Sequence, residues 1–276
     1  MAIHLGGSSR NSLAATREAL DKSLAGLSGD AASALSSDLF AVVNALGQNV
    51  SLRRAITDPS RSSAEKAGLL KQLFGSRISD KALAIAVVAV SNRWSSPSDL
   101  LIATEQIAIQ AEAGAANLRG ELDKLEDEIF TFGRALAANQ DLRNALNGNP
   151  DAFSEKRALV EQVLKNATSS SRALVGQVAN GLWGRNIETA LSDIAHATAE
   201  HRNLVVALVQ SAIELATDQK AKLAAALSKQ VGQPVRVNVE TNPKVIGGVS
   251  IRFRDELIDG TVISRMADAS QALAGK

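Results

Sequence analysis

The chain has 276 residues, 45% of them hydrophobic and 21% charged, with a formal net charge of +1. This length allows roughly two domains, each able to bury its own core, and a charge so near zero gives no whole-molecule field to gather nucleic acid or anionic lipid. The absence of cysteine excludes disulfides, thiolate nucleophiles and Cys-based zinc sites, and suits a reducing compartment.

Aromatic residues make up 3% of the chain and Tyr is absent, so Leu, Ile, Val and Ala must form a core of closely approaching helices. The opening MAIHLGGSSR carries no apolar h-region, and no secretory signal is expected. The longest uncharged stretch, Leu39–Leu52, is interrupted by Asn44, Gly47, Gln48 and Asn49. It falls short of the roughly 20 apolar residues a spanning helix needs, so no membrane crossing is expected.

From residue 10 to about 200 the chain reads as successive amphipathic helices, the first near Arg10–Leu27. Their sequence contains a duplication. LGQNVSLRRAITDPSRSSAEKAGLLKQLF, 46–74, aligns with LAANQDLRNALNGNPDAFSEKRALVEQVL, 136–164, at a constant offset of 90, with Asn49/Asn139, Leu52/Leu142, Arg53/Arg143, Glu65/Glu155, Lys66/Lys156 and Leu69/Leu159 coinciding. Ninety residues exceeds a solenoid repeat of about 20–50, and a duplicated helical bundle fits better. Adding 90 to the first helix lands on LLIATEQIAIQAEAGAAN, 100–117, which also holds the place of the first copy's last helix. One long helix is therefore expected to close the first bundle and open the second, with bends at Gly114 and Gly120. The expected divisions are 1–110 and 100–200 for the two bundle copies and 203–276 for a C-terminal domain. In ELDKLEDEIFTFGRAL, Leu122, Leu125, Ile129, Phe132 and Leu136 recur at three- and four-residue steps, which predicts a buried stripe. Glu121, Asp123, Glu126 and Asp127 fill a solvated face, because no glycine loop folds them around an ion.

After residue 200 the period changes. NLVVALVQSAIEL, 203–215, has the β-branched density of a buried strand, and a helix is the alternative. Thr217 is the expected N-cap of a helix through Gln230 that Gly232 and Pro234 stop. Val235, Val237 and Val239 point inward from VRVNVE, and Val249, Ile251 and Phe253 from VSIRFR. Asp255-Glu256 is read as a turn, LIDGTV as a returning strand, and Ser264 as the start of a last helix to about Leu273. The fold class is thus mainly α, a duplicated helical bundle sharing one long helix, followed by a small α/β domain.

No catalytic constellation emerges, and no catalytic, cofactor-binding or metal-binding residue is assigned. His196 and His201, with Glu200 between them, stand five residues apart, about 140° around a helix, and cannot share one metal there. No phosphate-cradling GxxxxGK[ST] or GxSxG elbow occurs, and Gly247-Gly248 lacks the third glycine of a dinucleotide fingerprint. Arg236, Arg252 and Arg254 suggest a basic stripe, hence an alternative reading as an RNA- or lipid-surface adaptor, but without the exposed aromatics that stack bases. Trp94 and Trp183, near equivalent helix ends, are read as packing residues.

VRVNVETNPKVIGGVSIRFRDELIDGTVISRM, 235–266, resembles the C-terminal signature of the F-type ATP synthase delta subunit family, which includes the mitochondrial oligomycin sensitivity conferral protein. The carrying elements are the strand Val235–Glu240, Asn242-Pro243, Ile246-Gly247-Gly248, Val249–Phe253 and Ile258-Asp259-Gly260. Arg254 stands where the family commonly has Gly. The lengthened N-terminal region is similar to the actinobacterial form. The resemblance implies a non-catalytic peripheral-stalk subunit without cofactor, on the cytoplasmic face of the plasma membrane as part of the complex. Its implied partners are the N-terminal helices of the alpha subunits and the end of the b subunit stalk.

Overall fold

The computed structural model of the chain describes residues 6–149, 152–201, 205–213, 215–232, 235–242, 245, 249–253 and 256–259, and these are mainly helical. They divide into two compact units, one ending at Thr198 and one beginning at Ala199. The helices in chain order are α1 (Gly7–Leu24), α2 (Gly29–Gln48), α3 (Val50–Thr57), α4 (Ser63–Phe74), α5 (Asp80–Ser91), α6 (Pro97–Leu118), α7 (Leu122–Ala138), α8 (Gln140–Asn147), α9 (Phe153–Val163), α10 (Ser169–Asn180) and α11 (Ile187–His201).

Short polar residues open most of these helices. Ser28, Asn49, Ser62, Ser79, Ser96, Asn139 and Thr168 each accept a backbone N–H of the first turn through the side chain, a contribution of about 1 kcal/mol apiece. At α4 the cap is reciprocal, since the Ser62 N–H donates to the Glu65 carboxylate at 2.8 Å. Pro97 stands at the first turn of α6, where its missing N–H costs nothing.

The centre of the helical unit is α6. Leu100, Leu101 and every residue from Ala103 to Ala116 are buried, so this helix has no solvent face and packs against neighbours on all sides. Helices α1, α2, α3, α5, α7 and α10 all touch it. Its small residues, Ala103, Ala108, Ala111, Ala113, Gly114, Ala115 and Ala116, leave room for those backbones. Gly114 continues the helix, whereas Gly120 ends it. Gly120 has φ +71°, its N–H reaches the Asn117 carbonyl at 2.9 Å, and the Glu121 N–H reaches Ala116 at 2.8 Å. These two bonds close a Schellman motif. The expected bend at Gly120 is therefore a full stop, and α7 starts as a new helix. On α7 the expected stripe Leu122, Leu125, Ile129, Phe132 and Leu136 is buried.

Helix starts recur at even intervals: α1 at Gly7, α6 at Pro97 and α11 at Ile187. Local contacts recur as well. Asn49 caps α3 by accepting from the Leu52 N–H at 3.0 Å, and Asn139 caps α8 by accepting from Leu142 at 3.0 Å. Arg53 donates to the carbonyls of Leu46 and Gly47, and Arg143 to those of Leu136 and Ala137.

The other unit contains β1 (Val205–Ser211), α12 (Thr217–Val231), β2 (Val235–Thr241), β3 (Val249–Phe253) and β4 (Glu256–Asp259). The strand order is β2-β1-β3-β4, with β1 parallel to β2 and the other pairs antiparallel. Helix α12 makes the crossover that a parallel pair requires and packs on β2. Ala207, Val209, Leu227, Val235 and Ile251 form the core, with Val237 and Val239 packed against it. Of the two readings of 203–215, the strand is the one realised. Thr217 is the first helical residue rather than the cap. Ala216 holds the cap position, and its N–H donates to the Gln219 side chain at 2.9 Å. Gly232, at φ +73°, ends α12 as expected. Glu256 is not part of a turn but pairs with Phe253 as the first residue of β4. Pro243, Ile246-Gly247-Gly248, Arg254-Asp255, Gly260 and the helix expected from Ser264 lie outside the described residues.

Trp183 has φ +50°, and its indole packs over Gly47 of α2 and Gly181 at the end of α10, where an added methyl would collide with the ring. Gly68 of α4 faces open space. Gly47→Ala is expected to destabilise the protein by about 1–3 kcal/mol through overpacking. Gly68→Ala is expected to stabilise it by roughly 0.5–1 kcal/mol. Urea unfolding of the two variants checks the opposite signs.

Candidate protein-docking interface

A groove opens on the second half of the helical unit. Thr131, Phe132 and Ala135 of α7 face Val163, Leu164 and Ala167, where α9 gives way to α10, around a cavity of about 380 Å³. Phe132 is buried, while Val163 is 42% exposed and Phe153, at the start of α9, is 39% exposed. Leu73 of α4, at 37% exposure, holds the corresponding position 90 residues earlier. Isolated exposed apolar residues need no explanation, but Val163 borders a depression with an apolar floor.

The rim of the groove is polar and rigid. Glu128 accepts from the Ser171 hydroxyl at 2.6 Å, the Thr168 hydroxyl at 2.7 Å and the Thr168 N–H at 2.9 Å. Burial works to raise its pKa, but these bonds overcome it and hold the carboxyl below its ordinary value. Lys124, at 3.9 Å from Glu128, and Asp127 complete the rim. An amphipathic helix is the shape such a surface accepts, its apolar stripe on the floor and its polar edges at the rim.

Two ion clusters tie α6 to its neighbours. Arg185, between α10 and α11, binds Glu105 of α6 through Nη2 at 2.8 and 2.7 Å and Asp193 of α11 through Nη1 at 2.6 Å. One guanidinium thus serves two buried carboxylates. Burial pushes the Glu105 carboxyl up to about 7, against the pull of Arg185 and reinforced by Asp193. One turn pair further along α6, Glu112 accepts from Ser33 of α2 at 2.8 Å and Ser170 of α10 at 2.6 Å, and lies 3.3 Å from Arg119. Sequence reading missed these groups. The signal was present: Glu105 and Glu112 are the sole charged residues of 100–117, and a seven-residue spacing puts both on one helix face.

The residues singled out by sequence do not converge. His196 and Glu200 are exposed on α11, and His201 is that helix's last residue. Among the described residues no group of three His, Asp or Glu side chains is placed to hold a metal. Arg236 pairs with Val206 and Arg252 with Leu208 in the sheet register, and Arg254 lies outside the described residues. Trp94 is buried and donates from Nε1 to the Ala89 carbonyl at 2.7 Å. Among the described residues no helix is long and apolar enough to cross a membrane.

A family model described as "ATP synthase delta (OSCP) subunit" matches residues 109–273. The chain is 39% identical over 269 residues to "ATP synthase subunit delta" of Streptomyces coelicolor, covering 97% of this chain and 98% of that one. The protein of the same name from Streptomyces griseus is 37% identical, covering 98% of this chain and 100% of that one. That from Kineococcus radiotolerans is also 37% identical, covering 98% of each.

The Glu105 cluster makes stability depend on pH. Between the ordinary value of 4.5 and about 7, the folded protein keeps a proton that the unfolded chain has lost, so stability falls as pH rises through that window. In Glu105→Gln that loss is expected to disappear, moving the variant's stability relative to the parent by about 3 kcal/mol in its favour between pH 4.5 and 7.5. Denaturant unfolding at both ends of the window measures it.

Proposed function

The chain belongs to the ATP synthase delta (OSCP) subunit family, and we propose that it serves as the stator link between the catalytic head and the b subunit stalk of a proton-translocating F-type ATP synthase. The family is structural, not catalytic. The observation that carries the mechanical reading is the apolar groove beneath Val163, a surface that can grip a helix without any reactive group. In this reading the groove receives an N-terminal helix of an alpha subunit, and the unit beginning at Ala199 engages the end of the b stalk. The protein then sits on the cytoplasmic face of the membrane through the complex alone. Holding the head still against the rotor is what lets proton flow drive ATP synthesis.

The helical unit is read as two bundle copies, 1–110 and 100–200, that share α6, with 203–276 as the C-terminal α/β domain. Helix starts at Gly7, Pro97 and Ile187 support this reading, as do the matched contacts of Asn49 with Asn139 and Arg53 with Arg143. The family model begins at residue 109, inside α6, which is where a single-copy relative would start its first helix. A shared helix buried from Leu100 to Ala116 in all but Ile102 would transmit force between copies without a floppy linker.

Crosslinking after pull-down from solubilised membranes is expected to join this chain to alpha and b subunits, and recovery of neither would overturn the reading. Val163→Glu is expected to weaken binding of the head by tenfold or more, about 1.4 kcal/mol, with unfolding unchanged because the position is exposed. Unaltered affinity would remove the groove from the interface. A flexible Gly-Ser insert at Gly120 is expected to leave ATP hydrolysis intact while abolishing the proton pumping it drives.

A further inference from the structure

A second depression, of about 660 Å³, lies between the α3–α4 loop and the loop that leads from α5 into α6. Arg54, Arg61, Lys66 and Arg93 line it together with a single carboxylate, Asp58. Lys66 is 7% exposed; its ammonium is not enclosed and makes no hydrogen bond or ion pair among the described residues, and neither do the three guanidinium groups. A packed stem with the charged end left to the cleft is an ordinary placement for lysine.

The nearby acids are engaged elsewhere. Asp58 accepts from the Ser60 N–H at 2.9 Å and the Ser60 hydroxyl at 2.7 Å, both to one oxygen. Glu65 is held by the Ser62 N–H at 2.8 Å and the Ser62 hydroxyl at 2.7 Å. These short-range turns engage both carboxylates locally; neither forms an ion pair with Lys66, although the charge of Asp58 still acts on Lys66 and Arg61. The equivalent place in the second half is different. Position 144 is Asn, 148 is Gly, 151 is Asp and 183 is Trp, so of the four cations only Lys156 recurs. Lys156 is buried too, but it reaches the Gly148 carbonyl at 3.5 Å. Chance retention of one buried lysine thus does not explain the first site, where three further cations surround it.

We infer that the cleft lined by Arg54, Arg61, Lys66 and Arg93 is an anion site for an oligophosphate, a chain of linked phosphoryl groups. Four cations against one anion leave a net charge of +3, and guanidinium forks match phosphate oxygens two at a time. Three or four negative charges fit in this volume on a phosphate chain, whereas a peptide spreads as many carboxylates over several residues. The inference is independent of the stator reading, since it concerns a different face of the helical unit.

Calorimetric titration of the full chain with sodium tripolyphosphate, ATP and hexaglutamate tests it. Tripolyphosphate is expected to bind at low salt with Kd below about 1 mM, and to weaken steeply with added salt. ATP binding as well as tripolyphosphate identifies the phosphate chain as the recognised part, and tighter ATP binding adds the nucleoside to it; both support the site. Lys66→Met is expected to lower affinity about tenfold or more, and Lys156→Met less than about twofold. If Lys66→Met fails to fold, Arg61→Gln with Arg93→Gln, both at exposed positions, is expected to give the same loss. No binding of tripolyphosphate, equal effects of the two lysine variants, or tighter binding of hexaglutamate would overturn the assignment.

Discussion

Burial of α6 on every side is the constraint from which the helical unit follows. A helix without a solvent face must have neighbours all round, and a helix rich in Ala and Gly accepts them at short range. Those neighbours come from both halves of the unit, α1, α2, α3 and α5 from one and α7 and α10 from the other. Apolar packing alone would leave this seam tolerant of sliding, because one small side chain resembles another. Glu105 and Glu112 remove that tolerance. Each finds its donors in one register: Arg185 for the first, and Ser33, Ser170 and Arg119 for the second. A displacement of α6 by one turn would leave two buried carboxyl groups without their partners, a cost of several kcal/mol.

Repetition in the sequence is expressed most faithfully at short range. Asn49 and Asn139 cap the same kind of helix, and Arg53 and Arg143 bind the carbonyls at the end of the preceding one. Such contacts depend on residues a few positions apart, so a repeated segment reproduces them. Surroundings diverge where the partners are distant. Lys66 and Lys156 stand at equivalent places and are both buried, but only Lys156 has a backbone carbonyl within reach. Asp38 and Glu128, also 90 apart, both accept a helix-opening N–H, from Ser79 at 2.8 Å and Thr168 at 2.9 Å. The longer Glu128 carries two hydroxyl bonds in addition. Equivalent positions therefore provide a common frame on which each half has acquired its own surface.

Features governed by period and by single residues were legible in the sequence. The stripe from Leu122 to Leu136, the alternation of Val235, Val237 and Val239, and the stop at Gly232 follow from geometry that the chain itself imposes. The exact start of α12 was not legible, because Thr217 is the better intrinsic cap, and the reach of Gln219 back to the Ala216 N–H moved the helix boundary by one residue. Gly120 illustrates a different limit. A glycine in a helical pattern is compatible with a bend or an end, and only the pairing of the Glu121 N–H with Ala116 decides between them. The ion clusters were illegible for a third reason. Arg185 meets Glu105 across 80 residues, and no local pattern announces which guanidinium a buried carboxylate will find.

For the groove, the same long-range dependence has a mechanical consequence. Val163 and Phe132 belong to helices that are held by different means, one by the packed stripe of α7 and the other through the junction where Glu128 fixes Thr168 and Ser171. In the proposed reading, pulling a helix along the groove would load apolar contacts that slide and hydrogen bonds that do not. The bonds at Glu128 resist relative motion of α7 and α10, while in the proposed reading the apolar floor would supply most of the affinity. Charge-assisted bonds to a fixed carboxylate are short and directional, so a small displacement costs more there than across the hydrocarbon seam. The proposed stator role would use this division, with binding strength in the non-directional contacts and stiffness in the directional ones. The buried Glu112 cluster extends the stiff elements inward from α10 to α6, and from α6 the path continues through Ser33 into α2.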